Sequence, residues 1–140
     1  MISPRKFMKR RQLLSGMAIA AGLATTQSLY GAQRFSSLRD EKSQRLLKRL
    51  RELLGDETSA AAIGRAYFST EPKLDMHDVL NRLVMDLGGE TLVLNSSRQQ
   101  LKLRFSERRR QDFMQKNVLR VEGWVLSSSE VKLYALAALA

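Results

Sequence analysis

The stretch VLRVEGWVLSSSEVKLYALAALA, residues 118–140, decides how the rest of the chain must pack. Its second half, from Val131 to Leu139, is apolar on nearly every side once it is wound into a helix. A surface helix keeps one polar face, whereas a helix that is apolar nearly all round is stable only when it is buried. We therefore expect this helix to be enclosed by other helices of the chain or by a partner protein.

The residues before this helix indicate where it begins. Ser127 is followed three residues later by Glu130, which is the spacing of a capping box, so Ser127 is the expected N-cap. Residues 118–125 are rich in β-branched and aromatic side chains and could form an extended segment or a tight turn. Trp124, the only tryptophan, is expected to be a core anchor, with a place in an interface as the alternative.

Working outward from this stretch, apolar residues recur at helical spacing in four further segments. Residues 91–95 are too short for periodicity to distinguish a strand from the start of the next helix. Gly55, Glu71-Pro72 and Gly88-Gly89 are the expected helix ends. The sequence therefore predicts an all-α fold, a small bundle of four to five helices. The four further segments are residues 37–54, 57–69, 75–87 and 97–115.

Each segment has a predicted buried side. In the second, Ala60 and Gly64 share a side, and small residues there would let another helix approach closely. The side chains expected to be buried are Leu46, Leu47, Leu50, Leu53, Leu54, Ala60, Ile63, Gly64, Tyr67, Met76, Val79, Leu80, Leu83, Val84, Leu87, Leu101, Phe105, Phe113 and Met114.

The basic side chains are expected to face solvent. Lys48, Arg49 and Arg51 lie on the polar side of the first segment. The run 108–110, three arginines with Glu107 and Asp112 nearby, is expected to be a solvated and partly paired face. A docking surface for an acidic partner is the alternative for this run, and phosphate binding is a weaker one because no Gly-rich loop accompanies it.

The composition limits the chemistry that this chain can perform. The absence of cysteine excludes disulfides, iron–sulfur clusters, covalently attached c-type haem and thiolate zinc sites. His77 is the only histidine, so no His cluster or ordinary Ser-His-Asp triad can form, and we expect it to be exposed on a helix. The sequence has no Gly-rich nucleotide loop and no outstanding carboxylate pair. We therefore predict no catalytic, cofactor-binding or metal-binding residue.

The charge does not favour nucleic acid as a partner. The chain carries 24 basic and 14 acidic residues, a net charge of +10. Residues 1–32 hold five of the basic residues and no acid, so the remaining chain has a net charge near +5. This net charge is moderately basic and lower than is typical of a nucleic-acid-binding domain.

The N-terminal residues have the layout of a secretory leader. Residues 1–12 are positive and acid-free, residues 13–24 are apolar but rich in Ala and Gly, and residues 25–33 are small and polar. The apolar run is shorter than the roughly 20 residues that a membrane span requires. We expect a leader at residues 1–32, cut near residue 24 or 32, ahead of a helical domain at 33–140. An uncut leader acting as a membrane tether, or a basic arm that binds nucleic acid, are the alternatives.

Within the leader, the hexapeptide KRRQLL, residues 9–14, resembles the twin-arginine translocation motif. The matching residues are Arg10, Arg11, Leu13 and Leu14, and such a signal is an address read by a receptor. The resemblance implies export by the twin-arginine translocase to the periplasm. This route carries folded cargo, often proteins that acquire a cofactor in the cytoplasm. Because residues 33–140 show no cofactor site, use of the route suggests a partner that has one.

The order of features along the chain resembles a family of small subunits. After the twin-arginine leader, Gly64-Arg65-Ala66-Tyr67-Phe68 is similar to an early helix pair of that family. Val121-Glu122-Gly123-Trp124, the polar residues that follow and the apolar helix up to Leu139 are similar to its C-terminal part. The family comprises the small subunits of membrane-associated flavin-dependent sugar and alcohol dehydrogenases, among them gluconate 2-dehydrogenase subunit 3-like chains, the gamma subunit of FAD glucose dehydrogenase and the sorbitol dehydrogenase small subunit.

The resemblance implies a non-catalytic role. Such a subunit binds a flavoprotein catalytic subunit that lacks its own signal, escorts it through the translocase and stabilises it afterwards, while a separate cytochrome subunit takes the electrons. The expected partner interface comprises Trp124, Val125, Tyr134 and Leu136. A competing hypothesis is a stand-alone periplasmic or membrane-tethered helical binding protein, which the basic residues between Arg104 and Arg110 would support.

Overall fold

The structure is a computed structural model that describes residues 38–139. The predicted leader, its twin-arginine residues Arg10, Arg11, Leu13 and Leu14, and both proposed cleavage positions lie outside the described residues.

The described residues form six helices and one antiparallel β-hairpin, so the prediction of a mostly helical fold is confirmed. Two details of the all-α prediction are wrong. Residues 118–125 belong to a hairpin, and the helices outnumber the expected four to five because the 91–95 region forms a helix of its own. The elements are α1 (Glu41–Arg51), α2 (Glu57–Thr70), α3 (Met76–Asp86), α4 (Glu90–Asn95), α5 (Arg98–Met114), β1 (Val118–Val121), β2 (Trp124–Ser127) and α6 (Ser128–Ala137).

Helix α6 is the central element, as its apolar sequence predicts. It packs against α1, α2, α3 and α5 and against both strands. The expected capping box is present, since the Ser127 hydroxyl accepts a hydrogen bond from the Glu130 amide at 3.1 Å and the Glu130 carboxylate accepts one from the Ser127 amide at 2.9 Å. Its buried apolar side chains are Val131, Leu133, Ala135, Leu136 and Ala137.

The closest approach in the fold is between α2 and α6, at Gly64. A Cβ atom placed on Gly64 would lie 2.0 Å from the backbone oxygen of Tyr134 and 2.9 Å from the Cβ of Ala138. No side chain fits at such a distance, so the two helix backbones meet directly there. The prediction that small residues on α2 admit another helix is confirmed.

The main core follows the predicted helical faces in α1 and α3. All six apolar residues predicted on the 75–87 segment are buried, and so are the first three leucines of α1, whereas Leu53 and Leu54 pack half-buried against the core after the helix has ended. His77 is exposed on α3, as predicted, with its Nδ1 atom 3.0 Å from the side-chain amide of Asn81.

The predicted buried side of α5 is correct in its first half and wrong in its second. Leu101 and Phe105 are buried, whereas Phe113 and Met114 are 45% and 73% exposed. The helical stripe that starts at Leu101 and Phe105 reaches Arg108 and Asp112 next, at positions i+7 and i+11, and not the Phe-Met pair. An arginine and an aspartate therefore occupy the inward positions near the end of α5.

Arg49 is a second departure from the expected solvated face. Its guanidinium donates hydrogen bonds to the backbone oxygen of Val93 at 3.1 Å and to that of Ser96, and it pairs with Glu52 at 2.7 Å. These carbonyl groups belong to the end of α4, where a six-residue helix has few internal partners to offer. Arg49 therefore holds α4 against α1. Lys48, in contrast, is exposed as predicted.

Replacing Gly64 by alanine tests the direct backbone contact. We expect Gly64→Ala to lower the free energy of unfolding by about 2 kcal/mol or more, because overpacking outweighs the gain in helix propensity. Gly55→Ala is the matched control, since a Cβ there meets nothing within 4 Å, and its effect should stay within about 0.5 kcal/mol. Urea denaturation followed by circular dichroism measures both. Equal stabilities of the two variants would contradict the contact.

Candidate partner interface

The β-hairpin joins its two strands through a two-residue turn at Glu122 and Gly123. Both residues have positive φ angles, 51° and 81°, as a type I′ turn requires. Val121 pairs with Trp124, and the register continues to Val118 opposite Ser127. The expectation for residues 118–125 left extended backbone and a tight turn open, and the structure contains both.

The inner face of the hairpin packs on α2 and α6 and forms a small second core. Trp124 and Tyr134, two of the four predicted interface residues, both pack half-buried against this cluster. Tyr134 also contacts the main core and so connects the two. Burial raises the pKa of the Tyr134 phenol, the charge of Glu130 adds to this rise, and Arg109 opposes it. The fully buried members of the cluster are Val121, Leu126 and Val131.

The other two predicted interface residues lie in opposite environments. Val125 is 46% exposed and pairs with Arg120, which places both on the outer face of the hairpin. Leu136 is 3% exposed and belongs to the main core. Of the four predicted residues, Val125 therefore has the largest exposed fraction, and Leu136 has almost no surface to offer a partner.

A group of exposed apolar side chains lies within residues 113–125, around the hairpin. We call these four residues the hairpin patch: Phe113, Met114, Leu119 and Val125, which are 40–73% exposed. The first two end α5. Val125 lies on the outer face of the hairpin opposite Arg120, whereas Leu119 pairs with the buried Leu126 and lies on the other face. The four side chains are therefore close in the sequence and exposed, and Phe113, Met114 and Val125 are the ones that do not face the small core of the hairpin.

The patch is held in place by a buried carboxylate that the sequence did not reveal. Asp112 is 0% exposed, and its Oδ2 atom accepts hydrogen bonds from the Ser129 amide at 2.9 Å and from the Ser129 hydroxyl at 2.6 Å. Its Oδ1 atom lies 3.2 Å from the Arg108 guanidinium and 3.4 Å from the Asn117 side-chain amide. One side chain thus joins the end of α5, the residue that precedes β1 and the first turn of α6.

The three arginines at 108–110 have different environments. Arg110 is exposed and pairs with Glu107 at 3.0 Å, as predicted for a solvated face. Arg109 is half-exposed and lies 3.6 Å from Glu130. Arg108 is paired as predicted, with Asp112 at 3.2 Å and Asp86 at 3.9 Å, but its side chain is only 26% exposed, so the prediction of a solvated position is wrong for it. A stripe at positions 101, 105, 108 and 112 was the available signal for both Arg108 and Asp112, and the adjacent Phe-Met pair obscured it.

The part of the chain that the structure describes contains no group of three or more His, Cys, Asp or Glu side chains able to hold a metal ion. Between residues 38 and 139, no helix has the length and apolarity needed to cross a membrane.

Comparisons of the chain with protein-family models, curated proteins and solved structures gave no significant match.

Two acid-to-amide substitutions on α5 test the role of Asp112. We expect Asp112→Asn to lower the free energy of unfolding by about 2 kcal/mol, because a buried acceptor of three groups loses its charge while Arg108 stays in place. Glu107→Gln, which removes an exposed pair, should change it by less than about 0.5 kcal/mol. Urea denaturation measures both, and a similar small effect for each would show that Asp112 does not secure the hairpin.

Proposed function

We propose that this chain is a non-catalytic small subunit that binds a flavin-dependent dehydrogenase, escorts it through the twin-arginine translocase and stabilises it in the periplasm. The observation that carries the proposal is the combination of a folded-cargo signal at Arg10-Arg11 with exposed apolar side chains around the hairpin of the fold behind it. The first addresses a folded complex for export, and the second supplies a surface by which a partner can be held.

The sequence supports the export half of the proposal. The acid-free positive segment, the dilute apolar run and the paired arginines occur in the order that the translocase reads. The resemblance of Glu122-Gly123-Trp124 and the helix after it to the dehydrogenase small subunits names the class of cargo. A cytochrome subunit that receives the electrons is a further component of such a complex.

The surface supports the binding half. The hairpin patch contains aromatic, thioether and aliphatic side chains, the types that are enriched at interfaces between proteins. Arg120 on the outer strand face and Arg110 on α5 add exposed basic groups near the patch in sequence. A flavoprotein that docks here would present an apolar surface with acidic groups at its rim.

Substituting the paired arginines tests the escort role. In cells that express this chain with its flavoprotein, Arg10→Lys and Arg11→Lys together should leave a second, larger flavin-containing protein in the cytoplasm, because that protein has no signal of its own. Fractionation followed by mass spectrometry and flavin fluorescence measures its location. Arg5→Lys, a change outside the pair, should leave export intact. If only this chain were retained and the flavoprotein still reached the periplasm, the escort role would be wrong.

Surface substitutions test the hairpin patch. We expect Met114→Lys with Val125→Lys to weaken co-purification with the flavoprotein at least tenfold, equivalent to about 1.4 kcal/mol of binding free energy. Leu103→Lys with Met85→Lys is the matched control, since these side chains are 66% and 71% exposed and lie outside the patch. Both double variants should keep the thermal unfolding midpoint of the parent. Equal binding by the two would place the interface elsewhere.

A further inference from the structure

A second surface feature, distinct from the hairpin patch, is an open cleft of about 420 Å³ between α2 and α5. Leu133 and Tyr134 of α6 form its floor, and residues 53–55, which connect α1 to α2, complete the lining. Concave sites of this size between helices are typical of small-molecule binding.

Each wall of the cleft is one face of a helix. Helix α5 contributes Lys102, Phe105, Ser106 and Arg109, which stand at positions i, i+3, i+4 and i+7. Such residues line one side of a helix over two turns. This wall therefore presents an aromatic ring and a hydroxyl between two cations.

The opposite wall comes from the start of α2 and has the same spacing. Asp56, Ser59, Ala60 and Ile63 line it, again at positions i, i+3, i+4 and i+7. Apart from the N-cap Asp56 this wall is uncharged. The cleft thus has a neutral wall on α2 apart from Asp56, a floor at Leu133 and Tyr134, and its positive charges on α5.

The acids near the cleft already have hydrogen-bond donors within the chain. The Asp56 carboxylate accepts from the amides of Thr58 and Ser59 and from the Ser59 hydroxyl, at 2.6–3.3 Å. These hydrogen bonds hold the pKa of Asp56 below its usual value. One oxygen of Glu130 accepts from the Ser127 amide at 2.9 Å. The Asp56 carboxylate therefore stays ionised, and in both acids some acceptor positions are already occupied by donors within the chain.

The cations, in contrast, have unused donors. Within residues 38–139, the Lys102 side chain makes no hydrogen bond or ion pair, and the Arg109 side chain has only the 3.6 Å contact with Glu130. Lysine and arginine side chains two turns apart on one helix face are long enough to converge on a group between them. Ser106 lies at that midpoint, one turn from each, and can donate its hydroxyl hydrogen.

We propose that this cleft binds a small amphipathic carboxylate, in which an alkyl or aryl body contacts Ile63, Phe105 and Tyr134 and the carboxylate lies between Lys102 and Arg109. Charge complementarity selects the anion, and the apolar lining selects a ligand with a hydrocarbon body over a bare ion. This binding does not depend on the export role of the chain.

Titration of the full chain with sodium octanoate tests the site. Saturable changes in ¹H–¹⁵N chemical shifts are expected at the amides of Ser59, Ser106 and Tyr134, with a Kd of about 1 mM or lower. Sodium acetate, which lacks the hydrocarbon body, and octylammonium chloride, which has the opposite charge, should each bind at least tenfold more weakly.

Two variants locate the binding in the cleft. Lys102→Gln should weaken octanoate binding at least fivefold, whereas Lys73→Gln, a change at an exposed lysine outside the lining, should not alter it. Ser106→Leu, which places a larger side chain in the cleft from an exposed helical position, should abolish it. The native chemical-shift dispersion of each variant verifies folding.

Three results would overturn the proposal. Equal binding of octanoate and octylammonium would remove the role of charge. Octanoate shifts that spread over the surface, or that persist unchanged in Lys102→Gln and Ser106→Leu, would show non-specific association. Binding of an acidic peptide, or of a second copy of the chain, at these residues without binding of octanoate would make the occupant a macromolecule.

Discussion

Helix α6 is almost wholly apolar and must be covered by other elements on every side. One of these elements, α2, approaches so closely that the two helix backbones are in direct contact. At Gly64, α2 lies directly on the carbonyl group of Tyr134 in α6. That contact fixes the depth at which α6 sits among α1, α3 and α5. Because α6 begins directly after β2, its position also fixes where the second strand of the hairpin ends. Because Tyr134 forms part of the floor between α2 and α5, the same contact determines the depth of the cleft.

The polar groups on α6 and α5 explain how a buried helix can carry charge. Lys132 pairs with Asp86 at 2.8 Å, and Arg108 reaches both Asp86 and Asp112, so α3, α5 and α6 share a network of alternating charges with 0–26% side-chain exposure. A buried ion pair adds little net stability compared with an apolar substitute, but it penalises arrangements that separate its members. We infer that this network selects one packing of the three helices, while the leucines and valines supply the driving force.

Much of this architecture could be predicted from the sequence because its signals were local and periodic. The α3 stripe from Met76 to Leu87 and the cap at Ser127 depend on spacing along one helix, and both are present in the structure. The errors concern contacts between elements that are distant in the chain. Arg49 resembles its exposed neighbour Lys48 until α4 is placed beside it, and Asp112 resembles a surface acid until Ser129 arrives from 17 residues away. Both cleft walls have helical spacing, yet nothing in either one indicates that they face each other.

The turn at Glu122-Gly123 makes the hairpin dependent on the rest of the folded chain. A glutamate in the left-handed region is less favourable than the asparagine or aspartate that such turns prefer, and the strands it connects are only four residues long. A hairpin of that length is at best marginally stable by itself. It therefore depends on Asp112 below it and on the small core behind Trp124. An unfolded or partly folded chain has no ordered hairpin. A partner that binds the residues around the hairpin would therefore bind only the folded chain.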